Sequence, residues 1–266
     1  MNNDTVRVVA VDVDGTLAGA DHRVSRRTMR VLTALEEKGV APVIITGRTE
    51  TAALSIAHEA GLTAAIISCN GAIVTDPVSE HRLRETTFAR TVIADLIEWS
   101  EGYPDVELFL WTAERMHAER RTPAAELLEA INLEGLILGS FGNINQQSVV
   151  KVMIGGTAAD LDQVADELAG RFDFMHRSLD AFFEGSAPGA SKRESLKVVL
   201  DGLGVTLEEC LGIADGDTDV GWLSDIGQAI AVPNARPSVL AIADDVIGHH
   251  ADEAVAKFLE GRFNLL

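Results

Sequence analysis

Near the amino terminus the chain reads Val8-Val9-Ala10-Val11-Asp12-Val13-Asp14-Gly15-Thr16, an apolar run that passes straight into two carboxylates one residue apart and then a glycine. A short continuous run of this kind reads as a strand buried on both faces, as a parallel sheet requires. Strand periodicity sends residues two apart to the same side. Asp12 and Asp14 can therefore face one site at the carboxyl end of the strand, where open α/β sheets bind ligands. Gly15 lets the chain turn sharply away. Two carboxylates held that close either share a proton or hold a cation, and a divalent metal is the easier solution at neutral pH. The plainer alternative is a solvated acidic turn.

Outward from this strand, taken as Arg7 to Val11, apolar runs alternate with helical patterns, the sign of βαβ units. Ser25 to Lys38 reads as a helix with Met29, Leu32 and Leu35 on one face, stopped by Gly39, and Pro42 to Thr46 as a second buried strand. Glu50 to Ala60 is the next helix, ended by Gly61, and Ala64 to Ser68 a third strand running into the turn signal Asn70-Gly71. The rhythm then changes. Asp76-Pro77 and the stretch Gly185 to Gly189 bracket about a hundred residues, of the order of a small domain, and we read the bracketed segment as an insertion. Within it Val106 to Trp111, Val149 to Ile154, Phe172 to His176 and Ala181 to Glu184 look like strands, and Thr91 to Ser100, Ala124 to Asn132 and Ala158 to Ala169 like helices. That predicts an α+β unit with an antiparallel sheet. The α/β rhythm resumes with helix Lys192 to Leu200, strand Leu211 to Ala214, helix Val220 to Ser224, strand Ala229 to Val232 and helix Glu253 to Leu259. The expected fold class is α/β, a Rossmann-like parallel-sheet core with an inserted α+β domain: residues 1–80 and 188–266 form the core and 81–187 the insertion.

Composition narrows the function. The 266 residues carry 22 basic and 41 acidic side chains, a net charge of −19, which argues against a nucleic-acid groove or an anionic membrane surface. No apolar run approaches the roughly 18 residues of a spanning helix, and the first fifteen residues lack a basic region followed by an apolar stretch, so a cytoplasmic protein is expected. Cys69 and Cys210 lie far apart, with no metal-ligand spacing, and read as buried, reduced and structural.

Three further segments share the strand-end placement of Asp12 and Asp14. Thr46-Gly47-Arg48 follows the second strand and precedes a helix, offering a hydroxyl and backbone N–H groups at a ready anion site. Ser191-Lys192 opens the helix after the insertion, and lysine as a point charge is a usual phosphate contact, though also a common solvated surface residue. Asp215-Gly216-Asp217-Thr218-Asp219 follows the apolar strand and gives a second carboxylate cluster, or an acidic loop with Thr218 or Asp217 as helix N-cap.

In this order the motifs resemble the haloacid dehalogenase superfamily of phosphotransferases. Ser68-Cys69-Asn70-Gly71-Ala72 and the large insertion look like its Cof-type branch, whose inserted cap is of the C2B kind. The resemblance implies a phosphoaspartate mechanism, with Asp12 as nucleophile and Asp14 as general acid and then base. It implies Mg²⁺ held by the Asp12 side chain, the Asp14 backbone carbonyl and the Asp215 side chain, and phosphoryl oxygens bound by Thr46, the Gly47 amide and Lys192. Asp219 would orient Lys192 or a water from behind. The sequence departs from the family pattern at Thr218, where Asn is frequent; a hydroxyl can donate to phosphate or cap the next helix, but its reach is shorter.

Asn70 and Arg48 are candidate substrate contacts. Asn-Gly is equally good turn chemistry, and Arg48 can instead tie the helix start to an acidic neighbour. Arg193 reads as a surface partner of Glu194 or Glu208, Asn234 as a loop-shaping residue near the metal, and His249-His250 as a surface loop. Cap residues such as His117, Arg120, Arg121, Asn143, Asn145, Phe182 and Glu184 could read sugar hydroxyls or a second anion. The expected activity is Mg²⁺-dependent hydrolysis of small phosphomonoesters, sugar phosphates first among them, by a monomer or homodimer. A phosphomutase using the same aspartyl phosphate and a non-catalytic phosphate-ligand-binding protein are the alternatives.

Overall fold

The computed structural model describes residues 5–265. In chain order, β1 (Val8–Asp12), α1 (Arg26–Glu37), β2 (Ala41–Ile45), α2 (Glu50–Ala60), β3 (Ile66–Ser68), β4 (Ile73–Thr75) and β5 (Arg82–Glu85) come first. There follow α3 (Arg90–Glu101), β6 (Glu107–Trp111), β7 (Met116–Ala118), α4 (Pro123–Asn132), β8 (Ile137–Leu138), β9 (Lys151–Gly155), α5 (Ala158–Arg171), β10 (His176–Leu179) and β11 (Phe182–Ser186). The chain closes with α6 (Lys192–Leu203), β12 (Cys210–Ala214), α7 (Val220–Leu223), β13 (Gln228–Ala231), α8 (Pro237–Leu240), β14 (Asp245–Val246) and α9 (Ala254–Phe263). Two compact units result. One comprises residues up to Arg48, Ala53–Arg84 and Ser191 onward; the other is Glu85–Ala190 together with Thr49–Ala52.

The first unit carries an eight-stranded sheet in the order β14-β13-β12-β1-β2-β3-β4-β5. It is parallel from β14 to β3, and β4 turns back antiparallel on β3. β1 is central, flanked by β12 and β2, and all five of its residues are buried, which explains its unbroken apolar run. Its core joins Val8, Val9 and Val11 with Leu32 and Leu35 of α1, Ile44 of β2, Ile213 of β12 and Leu259 of α9. α1 begins one residue later than the sequence pattern, because the Ser25 hydroxyl caps it by accepting from the Thr28 N–H. Both cysteines are buried free thiols, as expected.

The second unit has a six-stranded sheet, β10-β11-β9-β6-β7-β8. The expected antiparallel sheet is corrected to a mixed one, since β7 and β8 pair in parallel. A second correction falls at Phe172 to His176. Phe172 ends α5, and Phe172 and Phe174 turn into the aromatic core with Trp99 and Phe88, while the strand proper is the more polar His176–Leu179. Alternating aromatics there serve packing, and an edge strand needs only backbone pairing with β11. Within this unit Lys151 and Glu184 form a buried ion pair at 3.0 Å, with the Lys151 ammonium 4.3 Å from the centre of the Trp111 ring. Among the described residues no helix is long and apolar enough to cross a membrane.

Candidate active site

The carboxyl ends of β1, β2, β3 and β12 and the start of α6 bring the sequence motifs together. β1 delivers Asp12 as its last residue, and Gly15 turns the chain with φ +78°. A Cβ at Gly15 would lie 2.3 Å from Asp215 Oδ2, so glycine is needed there for space as well as for its dihedral. Asn234 donates its amide N–H to the Gly15 carbonyl at 2.7 Å and fixes the outside of the same turn. The loop-shaping reading of Asn234 fits this contact.

Lys192 is the hub. Its Nζ donates to Asp12 Oδ1 at 2.8 Å and to Asp219 Oδ1 at 2.7 Å, and all three side chains are buried. The lysine arrives through a close packing that the sequence did not reveal. At the β3–β4 turn Cys69, Asn70 and Gly71 take three successive positive φ values, 49°, 56° and 87°. A Cβ on Gly71 would sit 2.3 Å from the Ser191 carbonyl carbon and 2.4 Å from the Lys192 nitrogen. Ser195 donates its hydroxyl to the Gly71 carbonyl at 2.8 Å, and Ser191 caps α6 through the Glu194 N–H. This strained turn is thus the seat on which the helix start rests. The same turn ties back to β2, since the Asn70 N–H donates to the Thr46 carbonyl at 3.1 Å and the Cys69 N–H to the Arg48 carbonyl at 2.8 Å. Thr46 is fully buried at the end of β2, beside Gly47.

Asp12, Asp215 and Asp219 each place an oxygen within 4.8 Å of the others. Burial pushes the Asp12 carboxyl well above its usual range; Lys192 opposes this, and the neighbouring Asp219 and Asp215 charges add to it. Burial likewise pushes Asp215 up to about 6, against the hydrogen bond from the Thr16 hydroxyl at 2.9 Å. Burial pulls the Lys192 ammonium down, but the Asp12 and Asp219 charges outweigh it and hold its pKa above the ordinary value. Crowded, desolvated carboxylates with hard oxygen donors suit a divalent cation such as Mg²⁺, whose charge would relieve their mutual repulsion.

Asp14 stands apart from that cluster. Arg48 grips it with both arms, Nε to Oδ2 at 2.9 Å and Nη2 to Oδ1 at 2.5 Å, and Nη2 also donates to the His22 carbonyl at 2.7 Å. The buried guanidinium therefore sets the position of a half-exposed carboxylate. Thr218 is exposed, and the turn at Asp217–Asp219 is capped from Gly216, not by Thr218 or Asp217. Arg193 pairs with Asp225, at 2.9 Å through Nη2, and not with Glu194 or Glu208. The expectation named the wrong acid because Asp225 is 32 residues away in sequence. His249 is exposed and His250 contacts the Ala18 carbonyl at 2.8 Å.

A parallel sheet with carboxylates at its central strand ends and a lysine held between two of them is an α/β fold whose site lies at the carboxyl ends of its strands. The model of the haloacid dehalogenase-like hydrolases matches residues 9–259, and the chain belongs to that family. It is similar to an HMP-PP phosphatase of Enterobacter sp. (strain 638), 28% identical over 261 residues, spanning 95% of this chain and 94% of the relative. A 5-amino-6-(5-phospho-D-ribitylamino)uracil phosphatase of Bacillus subtilis (strain 168) is 24% identical, spanning 97% and 98%. Among solved structures, a haloacid dehalogenase-like hydrolase from Bacteroides thetaiotaomicron superposes with a TM-score of 0.88 at 25% identity, covering 96% of this chain and 99% of that one.

Proposed function

We propose that this protein is a Mg²⁺-dependent phosphatase that hydrolyses small phosphomonoesters through a phosphorylated Asp12. The observation that carries this reading is the Lys192 ammonium bonded at once to Asp12 and Asp219, with Asp215 alongside. An Asp12 oxygen attacks phosphorus, the bond from phosphorus to the ester oxygen breaks, and Asp14 gives the departing alcohol its proton. In the second half Asp14 takes a proton from water as the water oxygen attacks the acyl phosphate, releasing phosphate and restoring the Asp12 carboxylate. Thr46, the Gly47 amide and Lys192 bind the phosphoryl oxygens, and Lys192 balances the charge that builds on them. Asp12, Asp215 and the Asp14 backbone carbonyl would hold Mg²⁺, which when bound neutralises phosphoryl charge. Arg48 orients Asp14 through its two-armed contact.

Substrate choice falls to the inserted segment, 81–187, which we assign as a C2B-type cap. Sugar phosphates head the candidate substrates, and the relatives named as phosphatases of HMP-PP and of 5-amino-6-(5-phospho-D-ribitylamino)uracil add those two compounds to the panel. The test is phosphate release from sugar phosphates, nucleotides and cofactor phosphates, with and without Mg²⁺, for the parent and Asp12→Asn. Metal-dependent release that disappears in the variant supports the reading. Isomerised product without net release would replace it with a mutase, and ligand binding without turnover with a binding protein.

A further inference from the structure

Three carboxylates crowd the cluster, and any of them has the chemistry to ligate a divalent cation. Their present hydrogen bonds are not equivalent. Asp219 Oδ1 accepts from Lys192 Nζ at 2.7 Å and also from the indole Nε1 of Trp222 at 2.8 Å, while Oδ2 accepts the Gly216 N–H at 3.2 Å. A carboxylate oxygen has two in-plane lone pairs, so Oδ1 of Asp219 is fully used by nitrogen donors. Of these, Lys192 must turn partly toward a phosphoryl oxygen when substrate binds. The indole N–H is neutral, carries no competing task and stays.

The fold makes room for this donor at some expense. Trp222 is 1% exposed and lies against β12, where a Cβ at Gly212 would come 2.5 Å from Trp222 Cζ3. Glycine in the interior of a buried strand weakens it and marks a place where another group approaches closely. Here the indole that reaches Asp219 shares the space with Ile226, whose Cδ1 would lie 2.4 Å from the same Cβ. Neither Trp222 nor Gly212 belongs to the motifs read from the sequence.

We propose that Trp222 is a positioning residue: its indole N–H commits Asp219 to Lys192 and keeps that carboxylate out of the cation's ligand set, leaving Asp12 and Asp215 to hold the metal. The inference rests on the phosphatase reading above, but its decisive measurement does not need turnover. Trp222→Phe keeps the ring and removes the N–H. With Asp219 freed, Mn²⁺ used as the probe should bind the metal-free variant about 3- to 10-fold more tightly than the parent by calorimetry, a gain of one carboxylate ligand. The gain should vanish in Trp222→Phe/Asp219→Asn. In turnover kcat should fall about 10-fold with KM within twofold, because Lys192 loses its fixed partner. Unchanged Mn²⁺ affinity in a folded Trp222→Phe protein overturns the proposal and leaves the phosphatase reading standing. A parent that binds neither Mn²⁺ nor Mg²⁺ overturns both. Should the variant fail to fold, the indole N–H resonances of the ¹⁵N-labelled parent decide instead. The one resonance that Asp219→Asn shifts should persist when Mg²⁺ is added, and its loss or large displacement would show Asp219 turning to the cation and refute the assignment.

Discussion

Replacing Lys192 with Met tests how the carboxylate cluster is held in the absence of metal. The ammonium is buried between Asp12 and Asp219, at 2.8 and 2.7 Å. Methionine matches its length and leaves both buried carboxylates without their cation. Breaking a buried ion pair by removing one partner costs about 3–5 kcal/mol, because an uncompensated charge remains. For a protein of this size that is roughly 6–20 °C in Tm, at about 2–4 °C per kcal/mol. The penalty also depends on pH. Burial already raises the Asp12 carboxyl, and Lys192 is the group that opposes the shift, so the variant raises it further. A carboxyl raised in the folded state lends stability that is present below its unfolded pKa, about 3.9, and is lost as pH rises through the folded value. The full loss should therefore appear at pH 8 in EDTA and shrink near pH 5. Urea and thermal denaturation of parent and variant at both pH values would measure it. A loss under about 1 kcal/mol, or one equal at pH 5 and pH 8, would refute the claim that Lys192 neutralises the cluster.

Three other outcomes follow from the structure. Gly71→Ala forces a Cβ to within 2.3 Å of the Ser191 backbone at φ +87°, so α6 must shift; turnover should fall at least about 10-fold while Mn²⁺ affinity of the metal-free protein changes less than twofold, and full activity would refute the seating role of this turn. Asp215, raised to about 6, must ionise to hold the cation, so Mg²⁺ affinity measured by calorimetry should drop about fivefold from pH 6 to pH 5, whereas a flat profile would count against Asp215 as a ligand. In the second unit, Lys151→Met/Glu184→Leu should leave stability unchanged or raise it by about 1–4 kcal/mol, while Lys151→Met alone should lower it; equal losses in both would show the pair to be a net stabiliser.

Much of the first unit could be read directly from residue order. β1 announces itself because a strand buried on both faces leaves no polar position to blur its apolar run, and the carboxylates begin where the strand ends. Asp14, Lys192 and Asp215 follow from motif order and their places at strand ends and a helix start. The features that escaped are contacts between residues far apart in sequence. Gly71 looks like ordinary turn chemistry until α6, 120 residues later, is found resting on it. Gly212 looks like a flaw in an apolar strand until Trp222 and Ile226 are found to occupy the space above it. Arg48 could have faced a ligand or an acid, and only the fold brings it to Asp14. In the second unit β8 has just two residues, too few for any periodicity, and its parallel pairing with β7 depends on the path of α4 between them.

The central claim is that Asp12 carries the phosphoryl group. Acid quenching of the protein during turnover with Mg²⁺ and its best substrate, followed by mass spectrometry of proteolytic fragments, tests it most directly. The fragment containing Asp12 should gain one phosphoryl mass, which disappears on chase and never forms in Asp12→Asn. Steady phosphate release with no phosphorylated Asp12 fragment, or release undiminished in Asp12→Asn, would contradict the account.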